Sequence, residues 1–346
     1  MVRTPWILAC TLAVSAWLAI DPAPLGAEAF TLEQTDHGVK VEIDGKLFTE
    51  YRTDVGTKPI LWPIIGPTGA PMTRDYPMKD VEGEKRDHYH QQSFWFTYGE
   101  VNDIDFWAEP RSYKEGKVPA GRKFGSIVQR ELILSDPGRS SSQPSGQAEA
   151  GFVTHNDWID SASKKKQLED QRAFRFTTAP DARIIDFSIT LKATDGDVDF
   201  GDTKEGAMGI RVPTVMDVTS KKGGRIENSE GQTDDAAWGK PARWVDYSGT
   251  VEGQQVGVAI LNHPTSFHYP TRWHVRTYGL FAANPFGLHD FDKGATEQGG
   301  YKLLAGKSLT LNYRFVFHRG DAKAAHVAEA FESYAKEHPE NAGGGF

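Results

Sequence analysis

Histidines and aromatic residues are concentrated in residues 263–291. Four of the eleven histidines in the chain lie in this stretch: His263, His268, His274 and His289. Exposed aromatic rings gain nothing from water, and buried polar atoms need partners. The mixture is therefore typical of a concave site with apolar walls and a few convergent polar groups. The alternative is a buried β-hairpin whose histidines are hydrogen-bonded within the fold.

A second segment with such chemistry spans residues 87–109. His88 and His90 are two residues apart, so on a strand their side chains would share a face. His-x-His is a common metal-ligand spacing in β proteins, but two histidines that only hydrogen-bond loop backbone can have the same spacing. Trp95 follows closely and could supply an apolar wall.

A glycine-rich turn at residues 201–217 carries the third group of candidates. Asp202, Lys204, Glu205 and Arg211 are crowded around it. A carboxylate beside a cation can act as a general acid or base, and Glu205 is the candidate for that role. The alternative is an ordinary charged hairpin tip.

Short strands must position these groups. Val39, Val41 and Ile43 alternate with charged residues, and Asp44-Gly45 then predicts a type I′ turn into a second strand. Similar runs recur between glycines and prolines along the chain. The pattern predicts an all-β fold, a large antiparallel β-sandwich.

Two further elements complete the predicted domain, which we expect to span residues 28–346 without repeats or linkers. A long loop over 221–240 ends at Trp238, and long loops in compact domains are often functional. Asp321 is expected to cap a C-terminal helix over about residues 322–337, which would pack on the sandwich.

The N-terminus and the composition limit the location and the partners. Residues 1–27 combine a basic start, an apolar run and small residues before Ala27, which predicts a signal peptide and a secreted or periplasmic protein, with an uncleaved anchor as the alternative. Cys10 is the only cysteine, so the mature chain would contain none. A net charge of −8 without a basic block argues against nucleic-acid binding. No later apolar run approaches the ~20 residues of a membrane span.

Four segments together resemble a family of secreted bacterial proteins labelled the PmoA family, or methane oxygenase PmoA. They are DHYH with FWFTYGEVNDIDFW, FGDTKEGAMGIRV, WGKPARWVDYSG and YPTRWHVRTYGLFAANPFG. The chain lacks the apolar runs of a membrane methane oxygenase, so the label does not predict that activity. The resemblance implies a supersandwich-like fold, similar in layout to galactose mutarotase. In the family pattern Asp-His-Pro-His-His-Arg-Gly, this chain has Gln91 and Gln92 in place of the third histidine and the arginine.

These observations favour a carbohydrate-active enzyme, a hydrolase, lyase or epimerase that uses general acid and base chemistry. The alternatives are a glycan-binding protein without activity and a metal-dependent oxygenase or hydrolase using His88, His90 and His274. No metal ligand or cofactor is otherwise assigned.

We expect Glu205 to pair with His274, Arg276 or Lys204 to hold developing negative charge, and Asp202 to be a possible second carboxylate. The predicted catalytic residues are His88, Glu205, His274 and Arg276. The predicted substrate-binding residues are His90, Trp95, Asp202, Lys204, Arg211, Trp238, His263, Trp273 and Asn284.

Overall fold

The structure is a computed structural model that describes residues 29–114, 117–135, 138–139 and 148–337. The predicted signal peptide lies outside these residues. In chain order the strands are β1 (Phe30–Thr35), β2 (Gly38–Ile43), β3 (Lys46–Arg52), β4 (Ile60–Ile64), β5 (Phe94–Tyr98), β6 (Gly125–Leu134), β7 (Gly138–Arg139), β8 (Ala148–Asp160), β9 (Lys166–Ala179), β10 (Ala182–Lys192), β11 (Val198–Phe200), β12 (Gly206–Arg211), β13 (Arg225–Asn228), β14 (Trp244–Val251), β15 (Gln254–Asn262), β16 (Arg272–Val275), β17 (Leu280–Asn284), β18 (Tyr301–Leu303) and β19 (Ser308–Arg319). The α-helix is α1 (Val327–Tyr334), and short 3-10 helices cover Pro110–Ser112, Thr214–Met216, Val218–Ser220 and Asp234–Ala237.

Two antiparallel sheets face each other. The front sheet has eight strands in the order β1-β2-β3-β4-β5-β12-β17-β16. The back sheet has the order β13-β14-β15-β19-β10-β9-β8-β6, with β7 beside β8, while β11 and β18 form a separate ribbon. The predicted large antiparallel β-sandwich is therefore confirmed. The Asp44-Gly45 hairpin is also confirmed, because both residues have positive φ angles, 50° and 70°, between β2 and β3.

Aromatic side chains from both sheets fill the space between them. Phe94 of the front sheet packs on Phe315 of the back sheet, with ring centroids 4.6 Å apart. Phe96 also points into this core, whereas Trp95 belongs to a separate apolar cluster. Successive side chains on a strand point to opposite faces, so Trp95 lies on the outer face of the front sheet. That face carries the candidate site.

The C-terminal helix packs on the outer face of the back sheet. Phe331 and Tyr334 join an apolar cluster with Leu261 of β15. The helix is shorter than the predicted 322–337 and begins at Val327, because His326 has a left-handed backbone with φ 51°. Asp321 does not cap α1; its carboxylate instead accepts a hydrogen bond from the Ala324 amide in the preceding turn (2.9 Å). No helix among the described residues is long and apolar enough to cross a membrane.

Candidate functional site

The floor of the candidate site is a row of residues across the outer face of the front sheet. In register order across β4, β5, β12, β17 and β16, the row is Ile60, Trp95, Gly209, Ala282 and His274. Directly opposed residues of antiparallel strands share a face. A Cβ at position 209 would lie 3.0 Å from the Trp95 indole, so glycine lets this ring lie across β12. The floor is thus flat and apolar, with His274 at one end; its side chains are buried, and Trp107 and Tyr278 pack against it.

His274 is buried and neutral. His274 is only 3% exposed, and its Nδ1 has no hydrogen-bond partner among the described residues. Burial, together with the charges of Arg276 and Lys204, lowers the pKa of His274 to about 3, although a contact with the Lys204 backbone opposes the shift. A ring without a proton at neutral pH cannot be the acid partner of Glu205. It can still accept a hydrogen bond.

The Lys204–Glu205 turn lies beside His274. The Lys204 ammonium is 3.2 Å from the Glu205 carboxylate and 3.7 Å from the Asp290 carboxylate. The Glu205 carbonyl accepts a hydrogen bond from Gly99 at the end of β5, which anchors the turn to the front sheet (2.6 Å). The backbone of Glu205 is therefore held while its carboxylate reaches solvent.

Asp87 holds two arginines at the rim. Its Oδ1 accepts hydrogen bonds from Arg74 Nη1 (2.6 Å) and Arg211 Nη2 (2.9 Å), and both guanidinium groups are buried. Burial alone would raise the pKa of Asp87, but His88, Arg211 and Arg74 outweigh it and lower that pKa far below its usual range. Asp87 is therefore a fixed anion that supports the loop. It is not free to exchange a proton near neutral pH.

His88 is oriented by two neighbours. Its ring stacks on Tyr278 with centroids 5.0 Å apart and an interplanar angle of 6°. Its Nδ1 lies 3.3 Å from Asp87 Oδ2. The backbone of His88 is left-handed, with φ 46°, a conformation that costs energy for residues with a Cβ and often occurs at functional sites. An oriented, exposed imidazole of this kind is suited to proton transfer.

Arg276 and two aromatic rings form one side wall. The guanidinium carbon lies 5.5 Å from the centroid of Trp238 and 5.6 Å from that of Tyr278. Phe291 packs against Trp238 on one side and His274 on the other, with ring centroids at 5.4 and 6.1 Å. The wall therefore combines a cation with apolar surface, next to the end of the floor.

His90 lies deeper than His88. Both are in the loop before β5, so they do not share a strand face. His90 Nδ1 lies 3.0 Å from Ser112 Oγ. Burial and the nearby charge of Lys58 lower the pKa of His90 well below its usual value. Its ring is 6.1 Å from Trp107. His90 is thus a neutral part of the wall near the Trp95 end of the floor.

His263 lies outside this cluster. Its Nε2 lies 3.1 and 3.2 Å from the carbonyl oxygens of Tyr334 and Glu337, and its Nδ1 lies 2.8 Å from Thr265. The reason is topological, because β15 belongs to the back sheet and β16 to the front sheet. The ten residues that lead from His263 to Trp273 therefore cross from the back sheet to the front sheet.

Trp273 and Asn284 support the fold around the site. Trp273 points into the core and donates a hydrogen bond from Nε1 to the Ala242 carbonyl (3.0 Å). Asn284 is buried; its Nδ2 donates to the Thr203 carbonyl (3.0 Å) and its Oδ1 accepts from the Gly287 amide (2.8 Å). Asn284 therefore braces the turn that presents Glu205. Trp273 therefore points away from the cluster, whereas Asn284 has the same outward orientation on β17 as Ala282.

Asp202 is also engaged within the protein. Its carboxylate accepts a hydrogen bond from the Leu288 amide (2.6 Å) and pairs closely with His289. Burial would raise its pKa, but the contacts with His289 and the Leu288 amide lower it. The arrangement does not provide Glu205 with a free second carboxylate at position 202.

The two glutamines that depart from the resembled motif are buried. Gln91 accepts a close hydrogen bond from Arg211, and Gln92 donates to Glu109 Oε1 at 3.3 Å. Both side chains contribute to the support of the rim. The substitutions therefore alter the polar packing behind His88 and His90.

Sequence reasoning missed three residues of this cluster: Tyr278, Arg74 and Asp87 as an ion-pair centre. Tyr278 lies two residues after Arg276, which itself lies two residues after His274. This regular spacing was visible in the sequence. Arg74 lies in a proline-punctuated coil and carried no signal. Among the described residues, no three His, Cys, Asp or Glu side chains form a group that could hold a metal ion.

The fold and the site define an antiparallel β-sandwich with a polar and aromatic cluster on one outer sheet face. A family described as a family of unknown function (DUF6807) matches residues 38–332, and the chain belongs to this family. The description gives neither a function nor the PmoA label. No curated protein matches the sequence.

Several solved structures are similar to this chain. The galactosidase domain of an α-galactosidase–sucrose kinase is 10% identical, with 77% of this chain and 40% of that chain covered and a TM-score of 0.34. A GH36 α-galactosidase from Geobacillus stearothermophilus in complex with stachyose is 12% identical, with 85% of this chain and 42% of that chain covered and a TM-score of 0.35. A galactose mutarotase-like protein from Clostridium acetobutylicum is 9% identical, with 85% of this chain and 99% of that chain covered and a TM-score of 0.38. The chain thus spans less than half the length of the two galactosidase chains. Similarity at these TM-scores carries no argument about function.

Proposed function

We propose that this protein is a carbohydrate-active enzyme that transfers protons to and from a sugar, with Glu205 and His88 as the exchanging groups. One observation carries the proposal. These two side chains, 34% and 41% exposed, stand beside a floor whose own histidine, His274, is neutral and buried. An exposed carboxylate beside a lysine and an exposed imidazole oriented by its neighbours form the minimum set for general acid and base catalysis.

The surrounding groups fit a sugar. The half-buried ring of Trp238 offers apolar surface, against which the C–H face of a sugar can pack, and Arg276 offers donors to its oxygens. The unpaired Nδ1 of His274 can accept a hydrogen bond from a hydroxyl. Glu205 would take a proton from the sugar, and His88 would return one.

The charges favour proton transfer over hydrolysis by two carboxylates. Glycosidases typically use a pair of carboxyl groups about 5–9 Å apart. Here Asp202 is engaged by Leu288 and His289, and Asp87 is engaged by two arginines. Glu205 and His88 remain as unlike groups with separate roles. The site therefore fits an epimerase, mutarotase or lyase better than a two-carboxylate hydrolase.

The proposal includes a location outside the cytoplasm. It rests on the basic start, apolar run and small residues of positions 1–27. Expression with the native N-terminus, followed by N-terminal sequencing of the exported protein, should give a start near Glu28. Retention of residues 1–20 would contradict the cleavage.

The test of activity uses the mature chain with a panel of sugars and glycosides in D₂O. Products and deuterium incorporation are followed by NMR. We expect Glu205→Gln to lower turnover by roughly 10²–10⁴-fold, the usual contribution of a general acid or base, while ligand binding persists. The matched control is Glu33→Gln on the exposed edge of β1, which should keep full activity.

Two outcomes would overturn the proposal. If the parent protein binds sugars but neither turns them over nor exchanges deuterium, it is a glycan-binding protein. If Glu205→Gln and Glu33→Gln have equal activity, Glu205 is not a catalytic residue.

A further inference from the structure

Arg276 differs from the other arginines whose side chains the structure describes. Each of the others has a carboxylate, carbonyl or hydroxyl partner within the protein. Arg52 pairs with Asp54 at 2.7 Å, for example, and Arg272 donates to the Gly239 carbonyl at 2.9 Å. Within the described part of the chain, the guanidinium of Arg276 has no hydrogen-bond acceptor and no ion-pair partner. Its contacts are the rings of Trp238 and Tyr278.

This environment holds the guanidinium for a planar anion. Arg276 is half-buried, and its guanidinium nitrogens still reach solvent, so a ligand acceptor can approach them without displacing a partner within the described protein. Aromatic contacts restrict the plane of the guanidinium, and a guanidinium held in this way matches a carboxylate with two parallel hydrogen bonds. The other nearby cations are already paired, Lys204 with Glu205 and Asp290, and Arg211 with Asp87. Arg276 is therefore the cation available to a ligand.

His274 supplies an independent second observation. It lies two residues before Arg276 and is buried, and its Nδ1 has no partner. With the ring hydrogen on Nε2, the unpaired Nδ1 is an acceptor. An unpaired set of donors thus lies near an unpaired acceptor. A carboxylate and a neighbouring hydroxyl on one ligand would satisfy both.

We propose that the ligand of this site is an acidic sugar, a hexuronate or a glycoside of one, whose carboxylate binds Arg276 and whose adjacent hydroxyl donates to His274. The inference rests on the proposed function and specifies its substrate class. Free hexuronates and hexuronates within oligosaccharides share this chemistry. The test therefore includes both.

The experiment measures binding to the mature protein by calorimetry for matched pairs. The pairs are D-glucuronate with D-glucose and D-galacturonate with D-galactose, and the methyl esters and a uronate-containing oligosaccharide are added. We expect each acid to bind at least about 10-fold more tightly than its neutral sugar and its ester, since charge-assisted hydrogen bonds are about twice as strong as neutral ones. A stronger response to the oligosaccharide would identify a polymer fragment as the source.

Variants locate the preference. Arg276→Met should abolish the difference between acid and neutral sugar, whereas Arg276→Lys should retain part of it. Arg225→Met, an exposed arginine paired with Glu227, is the control and should leave the difference unchanged. Thermal melting verifies that each variant is folded.

The outcomes separate the two proposals. If neutral sugars bind or react and the acids do so no better, the acidic-sugar inference is wrong and the proposed function stands. If the acid preference survives in Arg276→Met, the carboxylate binds elsewhere and the inference is also wrong. If no sugar of either kind binds or reacts, the proposed function fails together with the inference.

Discussion

The outer faces of the two sheets both carry charged groups, but they complete their contacts differently. On the back sheet, Asp186 lies between Arg175 and Arg314, each with a contact of 2.6 Å, and Glu337 adds a second contact to Arg314 at 2.7 Å. Burial alone would raise the pKa of Asp186, but the two arginines lower it. On the front-sheet side, the guanidinium of Arg276 lies over the rings of Trp238 and Tyr278 and has no carboxylate partner within the described part of the chain.

Two buried histidines show the same contrast. His318 on the back sheet has Nε2 2.7 Å from Asp246 Oδ2 and Nδ1 3.1 Å from the Arg319 carbonyl. Burial lowers the pKa of His318, but Asp246 outweighs it and raises the pKa above its usual value. His274 on the front sheet has no acid partner among the residues that the structure describes, and burial lowers its pKa to about 3. Both rings are buried, so the partner decides the charge.

The difference separates a network that stabilises the fold from one that awaits a ligand. Buried polar groups in native proteins are nearly always paired, and an exception needs an explanation. Under the C-terminal helix the protein supplies the partners itself. On the front sheet, the buried Nδ1 of His274 and the solvent-accessible guanidinium of Arg276 have no partner among the described residues, and a ligand beside the exposed Glu205 and His88 could supply them.

The largest expected effect on stability comes from the paired network. Asp186→Asn removes the carboxylate between two arginines and leaves both guanidinium groups poorly compensated. We expect the free energy of unfolding to fall by roughly 3–5 kcal/mol. Urea unfolding at pH 7 measures it. Asp181→Asn, which breaks the exposed pair with Arg319, is the control and should change stability by less than about 1 kcal/mol. Equal losses for the two variants would contradict the contrast.

An intermediate effect is expected from His274 in acid. Its pKa is lower in the folded state than in the unfolded chain, about 3 against 6.5, so the unfolded chain binds the proton first. This contribution to stability is complete above pH 6.5 and is lost as pH falls towards 3. Between pH 6.5 and 5 the loss is about 2 kcal/mol, at 1.4 kcal/mol per unit of pH.

The variant His274→Gln removes this titration. Urea unfolding of parent and variant at pH 7 and pH 5 should therefore show a smaller acid loss in the variant, by about 2 kcal/mol. His318→Gln is the counterpart from the back sheet. The pKa of His318 is raised in the folded state, so this residue stabilises the fold below its unfolded-state pKa, and the stabilisation is lost as pH rises. The effect of His318 on the pH dependence of the unfolding free energy is therefore opposite to that of His274. An unchanged acid loss in His274→Gln would show that the ring is protonated in the folded protein.

The smallest effect is expected at Arg276. Because its guanidinium has no acceptor among the described residues, Arg276→Met should leave the melting temperature nearly unchanged, corresponding to less than about 0.5 kcal/mol, or raise it slightly. Differential scanning calorimetry measures the change. Arg314→Met, which removes two carboxylate contacts, provides the comparison and should melt much lower. A marked loss of stability in Arg276→Met would indicate an acceptor within the protein.

Local patterns in the sequence were sufficient for the fold class, and they also pointed to residues of the proposed site. The alternation of Val39, Val41 and Ile43 and the Asp44-Gly45 turn predicted a hairpin that the structure contains, because side-chain alternation and turn geometry depend on neighbouring residues. Trp273 lies in the core and His274 on the outer face of the front sheet, because neighbouring side chains on a strand alternate. Glu205 was recognisable as a carboxylate beside a lysine in a glycine-rich turn.

Only the tertiary structure decided which candidates meet and which groups are left without partners. His263 is near Trp273 in sequence, yet it lies on the other sheet, because the chain crosses the sandwich between β15 and β16. Asp202 and Asn284 have polar side chains suited to a ligand, but they bind Leu288 and Thr203. Sheet order and burial depend on contacts between residues far apart in the chain. A sequence can therefore show which chemistry is available, whereas the fold determines which of it remains free for a ligand.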